Sequence, residues 1–542
     1  MEQLENNFEF NGKIDDISYK TINFSLKEGK FERSSIFRNS FNKFNIRTFK
    51  FSGNRNPSLL AGGIPLGRAN SMQTLIDNSD AHTLVIGATG SKKSRLVIMP
   101  SVYIMGSAGE SMIVSDPKAE IYGRTSSYLK RMGYNLVVVN LRNPDTGRAW
   151  NPLAIPYSFY KNGDIDRAYE FANDVAFNLT QVEKDLSDPF WDNSAGDLFF
   201  GLVALLFKYN LENNLPDEYV NLYNLLRLRR YLFRDVENSK VDDPYLRDLI
   251  DNDEIITGSL SGTITAPEKT KTSILSTFDE KMRCFILQTN LLDMLSNNDI
   301  DIKNSSKNKF AIFLIIPDEK TTYHKLVSLF IKQSYEYLIY EAQMKQAGRL
   351  PIRVNYILDE FSSLPTIKDF PNMVSAARSR DIRFVLVIQS KHQLVERYRE
   401  ESETIISNCI NWIFLTSREL PLLTDLSILC GKNKSGRDIL SISALQHLNK
   451  EKGQALILSG RLLPYIAELI DISEYDQDKY SSLQLKATKR EKFLLQNFKK
   501  IEEDSNEYVT SVVQNHVNND DVYEKDLKKP FKKLFGPFSE ED

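Results

Sequence analysis

Cysteine is nearly absent: Cys284, Cys409 and Cys430 are the only three in 542 residues, far apart, with no pair at metal-ligand spacing and no pattern of a disulfide framework. That scarcity excludes a stapled secreted scaffold and a cysteine-based zinc site, and it suits a reducing, cytoplasmic setting. Neither sign of charge dominates, since 69 Lys and Arg stand against 72 Asp and Glu for a net charge of −3. A globally basic nucleic-acid binder is thereby excluded. Any DNA contact has to come from a local basic patch or from a pore formed on assembly. Long apolar runs are missing too: no segment approaches the ~20 consecutive apolar residues of a membrane-spanning helix, and the first residues lack the basic-then-apolar layout of a signal peptide. The expectation is a chain that does not anchor itself. Its length is too great for one ordinary core and predicts two or three domains.

What is present is organised around the stretch from His82 to Val97, a short apolar strand, a glycine-rich turn and then a helical pattern. This is the layout of a phosphate-binding loop, in which inward-pointing backbone N–H groups and a helix N-terminus converge on phosphate oxygens. Against the template G-x-x-x-x-G-K-[ST], the loop comprises Gly87, Ala88, Thr89, Gly90, Ser91, Lys92, Lys93 and Ser94, with Arg95 following. Gly87 opens it, Lys93 reaches the outer phosphates of ATP, and the Ser94 hydroxyl holds Mg2+. Lys92 stands where the second glycine belongs, and if that position needs a positive φ it costs about 1–2 kcal/mol. The alternative at this motif is a lysine-rich turn between a strand and a helix.

Downstream, strands alternate with helices, which implies an α/β fold with a parallel sheet covered on both faces. Ser111 to Ser115 is a strand ending in Asp116, Pro117 and Lys118, a helical pattern follows from Ala119 to Met132, and Asn135 to Val139 is the next buried strand. The pattern changes at Trp150. From 164 to 298 the periodicity is almost purely helical and reads as an inserted all-alpha domain. Strands resume at Lys309, and the apolar strand from Val354 to Leu358 delivers Asp359 and Glu360 at its C-terminal end, where open α/β sheets bind ligands. Asp359 can hold magnesium through its water shell, and Glu360 can orient and activate an attacking water. An acidic pair in that place also serves as a plain helix N-cap. After Arg378, Ser379 and Arg380, the strand from Arg383 brings Gln389 to the same sheet edge, where it can sense a γ-phosphate. Two further buried strands, Trp412 to Thr416 and Gln454 to Ser459, bring the sheet to seven or more.

The ends of the chain read differently. Residues 1–70 form a polar segment with no transmembrane pattern, and its basic-aromatic stretch from Phe37 to Phe51 is either an edge strand or hairpin of its own domain or a platform for single-stranded bases. Residues 475–542 alternate in charge and read as a solvated or disordered tail, the alternative being that its basic segments, Lys486 to Lys492 and Asp526 to Lys533, contact nucleic acid or anionic lipid. The remaining partition is a nucleotide-binding domain of residues 71–163 and 299–474 with the insert at 164–298.

The series comprising the loop ending at Ser94, Ser115 to Lys118, Asn151 to Leu153, Asp188 to Trp191, Leu358 to Phe361 with Pro365, and Gln389 with Ser390 resembles the type IV secretion coupling proteins, the TraG/TraD group of conjugation ATPases. The resemblance runs in motif order from about Leu66 to Ile470. It implies a RecA-like P-loop NTPase domain carrying an all-alpha insert, a homo-hexamer, and ATP and Mg2+ as cofactors. It assigns Lys93 and Ser94 to phosphate and metal, Asp359 and Glu360 to the second acidic motif and Gln389 to the third, and it suggests Arg378 as an arginine supplied to a neighbour's nucleotide. It also implies DNA, single- or double-stranded, a relaxase and type IV secretion channel proteins as partners, at the inner face of the cell membrane. The usual N-terminal transmembrane pair has no counterpart here, so a separate anchor subunit or the N-terminal segment would have to supply attachment. Two rival readings are a nucleotide-binding adaptor with weak turnover, and a chromosomal DNA pump.

Overall fold

The computed structural model describes residues 13–14, 17–18, 46–50, 61–70, 73–180, 189–234, 241, 243–300, 308–317, 323–433, 436–460, 462–475 and 483–500. The chain divides into two compact units, Met1–Arg142 with Asp301–Leu485 and Asn143–Ile300 with Lys486–Asp542.

In the first unit, β1 (Lys13–Ile14) and β2 (Ile17–Ser18) make a small antiparallel ladder. Next, β3 (Ile46–Lys50), β4 (Ile64–Asn70) and β5 (Gln73–Asp77) form an antiparallel sheet in the order β3-β5-β4. The described part of the basic-aromatic stretch is therefore an edge strand, while 37–45 and 51 lie outside the described residues. Then come β6 (Thr83–Gly87), a π-helical turn at Ser94–Ile98, α1 (Met99–Ala108), β7 (Ser111–Asp116), α2 (Glu120–Arg131) and β8 (Asn135–Asn140).

The second unit is helical among its described residues. Its helices are α3 (Ala154–Lys161), α4 (Ile165–Thr180), α5 (Pro189–Glu212), α6 (Leu222–Leu232), α7 (Pro244–Asp251), α8 (Glu254–Ile264), α9 (Glu268–Leu287) and α10 (Thr289–Met294). The chain then returns to the first unit with β9 (Phe310–Ile315), α11 (His324–Gln343), β10 (Val354–Leu358), α12 (Phe370–Ala377) and β11 (Ile382–Ile388). It continues through α13 (Lys391–Tyr398), α14 (Glu401–Asn408), β12 (Asn411–Thr416), α15 (Leu420–Cys430), α16 (Ile442–Gln446), β13 (Gln454–Ser459) and β14 (Tyr465–Glu468).

Nine strands make the central sheet in the order β14-β13-β12-β6-β11-β10-β7-β9-β8. Its middle strands are buried along their whole length, as in β6, β9 and β11, because helices cover both faces of a parallel sheet. All pairings from β12 to β8 are parallel, but β13 and β14 join antiparallel. The wholly parallel sheet expected from the alternation fails at these two strands; β14 follows β13 without a crossover helix, and a short turn connects only antiparallel neighbours.

The domain limits also differ from those expected. Residues 143–163 belong to the helical unit, because Tyr157 of α3 packs on Phe207 at 5.3 Å, Phe159 on Phe171 at 5.4 Å and Tyr160 on Tyr169 at 5.9 Å. The far side of the insert is closed by two main-chain donors: Trp150 N–H donates to Met294 O at 3.0 Å, and Ala149 N–H to the Asp299 carboxylate Oδ2 at 2.9 Å. Residues 486–500, expected in a solvated tail, pack within the helical unit, with Leu495 and Phe498 buried. Their alternating charge hides apolar anchors spaced too irregularly to register as a helix or strand.

His82, one residue before β6, is fully buried. Its Nε2–H donates to Val374 O at 2.8 Å and its Nδ1 accepts the Phe384 N–H at 3.0 Å, so the neutral ring satisfies both partners. Desolvation pulls its pKa down from 6.5 to about 4. The folded chain therefore takes up this proton near pH 4 and the unfolded chain near 6.5, so its stabilising contribution is complete above pH 6.5 and is lost as the pH falls toward 4. The loss should reach roughly 3 kcal/mol, at about 1.4 kcal/mol per unit. Thermal melts between pH 7 and 4 check this: His82→Gln should show a flatter decline than the parent, and equal slopes would remove His82 as the cause.

Candidate active site

The parallel topology brings the C-terminal ends of β6, β7, β10, β11 and β12 to one edge of the sheet. After Gly87 the chain turns through Ala88 to Lys92, and Ala88 N–H is tied to Thr416 O at the end of β12 at 2.9 Å. The turn is tight enough that a Cβ on Gly87 would lie 2.5 Å from Ser91 Oγ and 3.2 Å from Lys93 Cγ. Only glycine fits. Gly90 has φ +76°, and Lys92 has φ 66°, the left-handed region that template glycine would occupy without strain. Lys92 Nζ is held by Glu451 Oε2 at 2.7 Å, which turns its ammonium toward the 449–453 turn.

Lys93 is buried, with Nζ 2.6 Å from Gly87 O and 3.4 Å from Ala88 O. Burial lowers its pKa, while the carboxylates of Asp359 and Glu360 oppose that shift. Ser91 Oγ is buried without a hydrogen-bond partner inside the loop. Ser94 begins the π-helical turn, a distortion frequent at functional sites. Arg95, expected among the nucleotide contacts, instead forks onto Asp471 with Nη2 at 2.7 Å and Nε at 3.0 Å. Its side chain is thus engaged away from the loop.

Across the sheet edge, β10 ends in Asp359 and Glu360. Glu360 adopts φ 52°, a left-handed conformation that costs a non-glycine residue about 1–2 kcal/mol. The bend is held by Phe361, buried against Phe370 at 4.7 Å and Tyr398 at 5.7 Å. Asp359 Oδ1 accepts the Glu360 N–H at 3.0 Å, and Ser115 Oγ donates to Asp359 O at 2.9 Å, tying β7 to the same turn. Burial pushes the Asp359 carboxyl up to about 7, Glu360 adds to the shift and Lys93 opposes it. A cation beside it would draw it back to carboxylate.

Gln389 occupies the gap between the loop and the acidic pair, because β11 lies between β6 and β10. Thr89 Oγ1 donates to Gln389 Oε1 at 2.9 Å and Gln389 Nε2 donates to Glu360 Oε1 at 3.4 Å. One amide therefore joins the glycine-rich turn to the glutamate. Arg378 is elsewhere. It precedes β11, at the opposite edge of the sheet, with Nη2 on Asp80 Oδ1 at 2.9 Å. The seven residues of β11 separate it from Gln389, a span of about 23 Å at ~3.3 Å per residue. It does not complete the site of its own chain.

Two contributors escaped the sequence reading. Asp116, at the end of β7, accepts the Tyr122 N–H at 2.7 Å, and burial pushes it up to about 6. Its position in the Ser115 to Lys118 motif was the available signal. Glu451, the partner of Lys92, had none, being 359 residues away in sequence.

The residues present fit a nucleoside triphosphate and magnesium: a tight loop opened by a glycine that a Cβ would crowd, a buried lysine, an unpartnered buried hydroxyl, and the pair Ser94 and Asp359 as a small oxygen donor set. Magnesium takes few protein ligands and keeps its waters. Lys92→Gly should relieve the left-handed strain at the loop and lose only an exposed ion pair, of little worth. ATP turnover is expected to equal or exceed that of the parent, with melting temperature unchanged or higher. Lys92→Ala, which keeps the strain without the pair, should melt lower than Lys92→Gly, and the reverse order would contradict the conformational account.

A family model described as type IV secretory system conjugative DNA transfer matches residues 28–463. Among solved structures, the bacterial conjugative coupling protein TrwBdeltaN70 in its trigonal form with sulphate aligns at TM-score 0.54 and 15% identity, covering 79% of this chain and 98% of that one. TrwB in complex with the non-hydrolysable ATP analogue ADPNP aligns at TM-score 0.50 and 15% identity, with the same coverage of 79% and 98%. At such identity the likeness is one of fold, and it is the mixed α/β, RecA-like fold expected. No curated protein matches the chain. No helix among the described residues is long and apolar enough to cross a membrane. The match over most of the chain places this protein in the type IV secretory system conjugative DNA transfer family.

Proposed function

We propose that this chain is an ATP-driven coupling protein, which recruits relaxase-bound DNA or protein substrates to a type IV secretion channel and powers their transfer as a homo-hexamer at the inner face of the membrane. The observation that carries this reading is the bridge from Thr89 through Gln389 to Glu360. It links the phosphate loop to the candidate base by one side chain, so a change at the outer phosphate is felt at Glu360 and along β11.

In this reading the loop backbone and Lys93 bind the β- and γ-phosphates of ATP, and a magnesium ion held by Ser94 and Asp359 would supply charge neutralisation on the phosphate oxygens. Glu360 takes a proton from the attacking water, its aim set by the left-handed backbone and by Gln389. Arg378 of one subunit completes the site of the next. TrwB, similar in fold, has been captured with ADPNP and with the GTP analogue GDPNP, and the same nucleotide class is proposed here.

ATP hydrolysis by the purified chain, measured with and without DNA, tests the reading. A motor shows turnover that DNA stimulates, whereas an adaptor binds ATP and turns it over at a rate DNA does not change. Stimulation by a relaxase or a channel protein separates a coupling protein from a chromosomal DNA pump.

A further inference from the structure

Residues 486–500 contain neither helix nor strand, yet they are held firmly inside an otherwise helical unit. The grip is on their main chain. Asn221, the N-cap of α6, donates from Nδ2 to Phe493 O at 2.9 Å, and Asn224 donates to the same oxygen at 3.0 Å. Asn224 Oδ1 accepts the Leu495 N–H at 2.8 Å, and Arg227 Nη1 donates to Leu495 O at 2.8 Å. These three side chains are spaced i, i+3, i+6 and so line one face of α6. Tyr209 OH adds a bond to Lys499 O at 2.9 Å.

Side chains of the segment matter at few positions. Phe498 is 1% exposed and sits 5.5 Å from the Tyr209 ring and 5.7 Å from that of Tyr231, while Leu495 is 3% exposed. Phe493 meets Tyr219 at 5.8 Å, and Lys492 Nζ lies 3.8 Å from Asp293 Oδ2. Main-chain bonds from fixed side chains supply affinity for any extended polypeptide, and pockets at a few positions supply selectivity, which is the division of labour in peptide recognition.

We propose that this face of α6 is a receptor for an extended polypeptide, filled here by the chain's own residues 486–500, and that a cargo protein displaces them with a segment of the pattern Lys-Phe-x-Leu-x-x-Phe. The cargo assignment rests on the coupling-protein reading, whereas the receptor rests on the geometry alone. A tethered segment competes at an effective concentration in the millimolar range. A free peptide of about micromolar intrinsic affinity should therefore bind the intact chain roughly 1,000-fold more weakly than a chain whose own segment is removed or weakened.

The probe is a fluorescein-labelled peptide of residues 486–500, followed by anisotropy. It should bind a chain ending at Leu485, and the full-length L495A/F498A variant, at least ~30-fold more tightly than the parent. Asn224→Ala with Arg227→Ala in the shortened chain should abolish that gain, and a peptide with Ala at 495 and 498 should not compete. If both altered chains keep their helical circular dichroism and neither binds the peptide, or if both lose their helical signal, the segment is a fixed part of the unit and the receptor is overturned. If the labelled peptide binds but an added relaxase fails to displace it, the cargo assignment falls and the receptor stands.

Discussion

Lys93→Ala is expected to lower ATP turnover by ~10²-fold or more, the scale for losing one preorganised donor to a charged transition state. Neither cation beside Lys93 in the loop is free to substitute for it. Lys92 is turned to Glu451 and Arg95 is forked on Asp471, while Lys118, at the end of β7, opposes the charged form of Lys93. Lys93 is buried with its Nζ on the loop carbonyls, and the acidic pair favours its charged form. Its removal also leaves Asp359 and Glu360 without the cation that opposes their repulsion, so ATP affinity should fall along with turnover. Binding of a fluorescent ATP analogue together with steady-state hydrolysis reads both effects. Wild-type hydrolysis by Lys93→Ala, with loss in Lys92→Ala, would mean that the loop register is off by one.

The second large effect is expected at Arg378. In its own chain this arginine stands at the far edge of the sheet, paired with Asp80 and with Nε buried and unpartnered. A role in hydrolysis therefore requires a neighbouring subunit. A guanidinium supplied in trans neutralises charge that develops only at the transition state, which is worth ~10³-fold or more in rate. Arg378→Ala should bind ATP with near-parental affinity and hydrolyse it ~10³-fold more slowly. Glu360→Gln, which keeps Arg378 but lacks the base, should be equally slow by itself. Mixed in one ring, the two variants create some interfaces with an intact Glu360 facing an intact Arg378, and part of the activity should return. Mixed rings that form and stay inactive at every ratio would show that Arg378 is a structural partner of Asp80.

Much of the site was legible because its residues sit at the ends of apolar runs. The strand before Gly87, the run from Val354 to Leu358 and the run from Ile382 to Ile388 are each followed directly by their site residues at the C-terminal end, a pattern that survives in a linear sequence. The change of domain was legible less well. The break at Trp150 was visible, but α3 resembled any amphipathic helix, and only its aromatic contacts with α4 and α5 assign it to the helical unit.

The sequence by itself therefore determined the alternation of strands and helices, the glycine-rich loop with Lys93 and Ser94, and the delivery of Asp359, Glu360 and Gln389 at strand ends. These follow from local periodicity and spacing, which each segment carries independently of the rest. Tertiary structure alone decided that β11 lies between β6 and β10, so that Gln389 bridges Thr89 and Glu360. It also decided that Glu451 answers the lysine in the loop, that Arg378 faces away from its own site, and that residues 486–500 lie along α6. Strand order and long-range pairing arise from packing between segments hundreds of residues apart, and the periodicity of each segment specifies which face it buries without specifying against what.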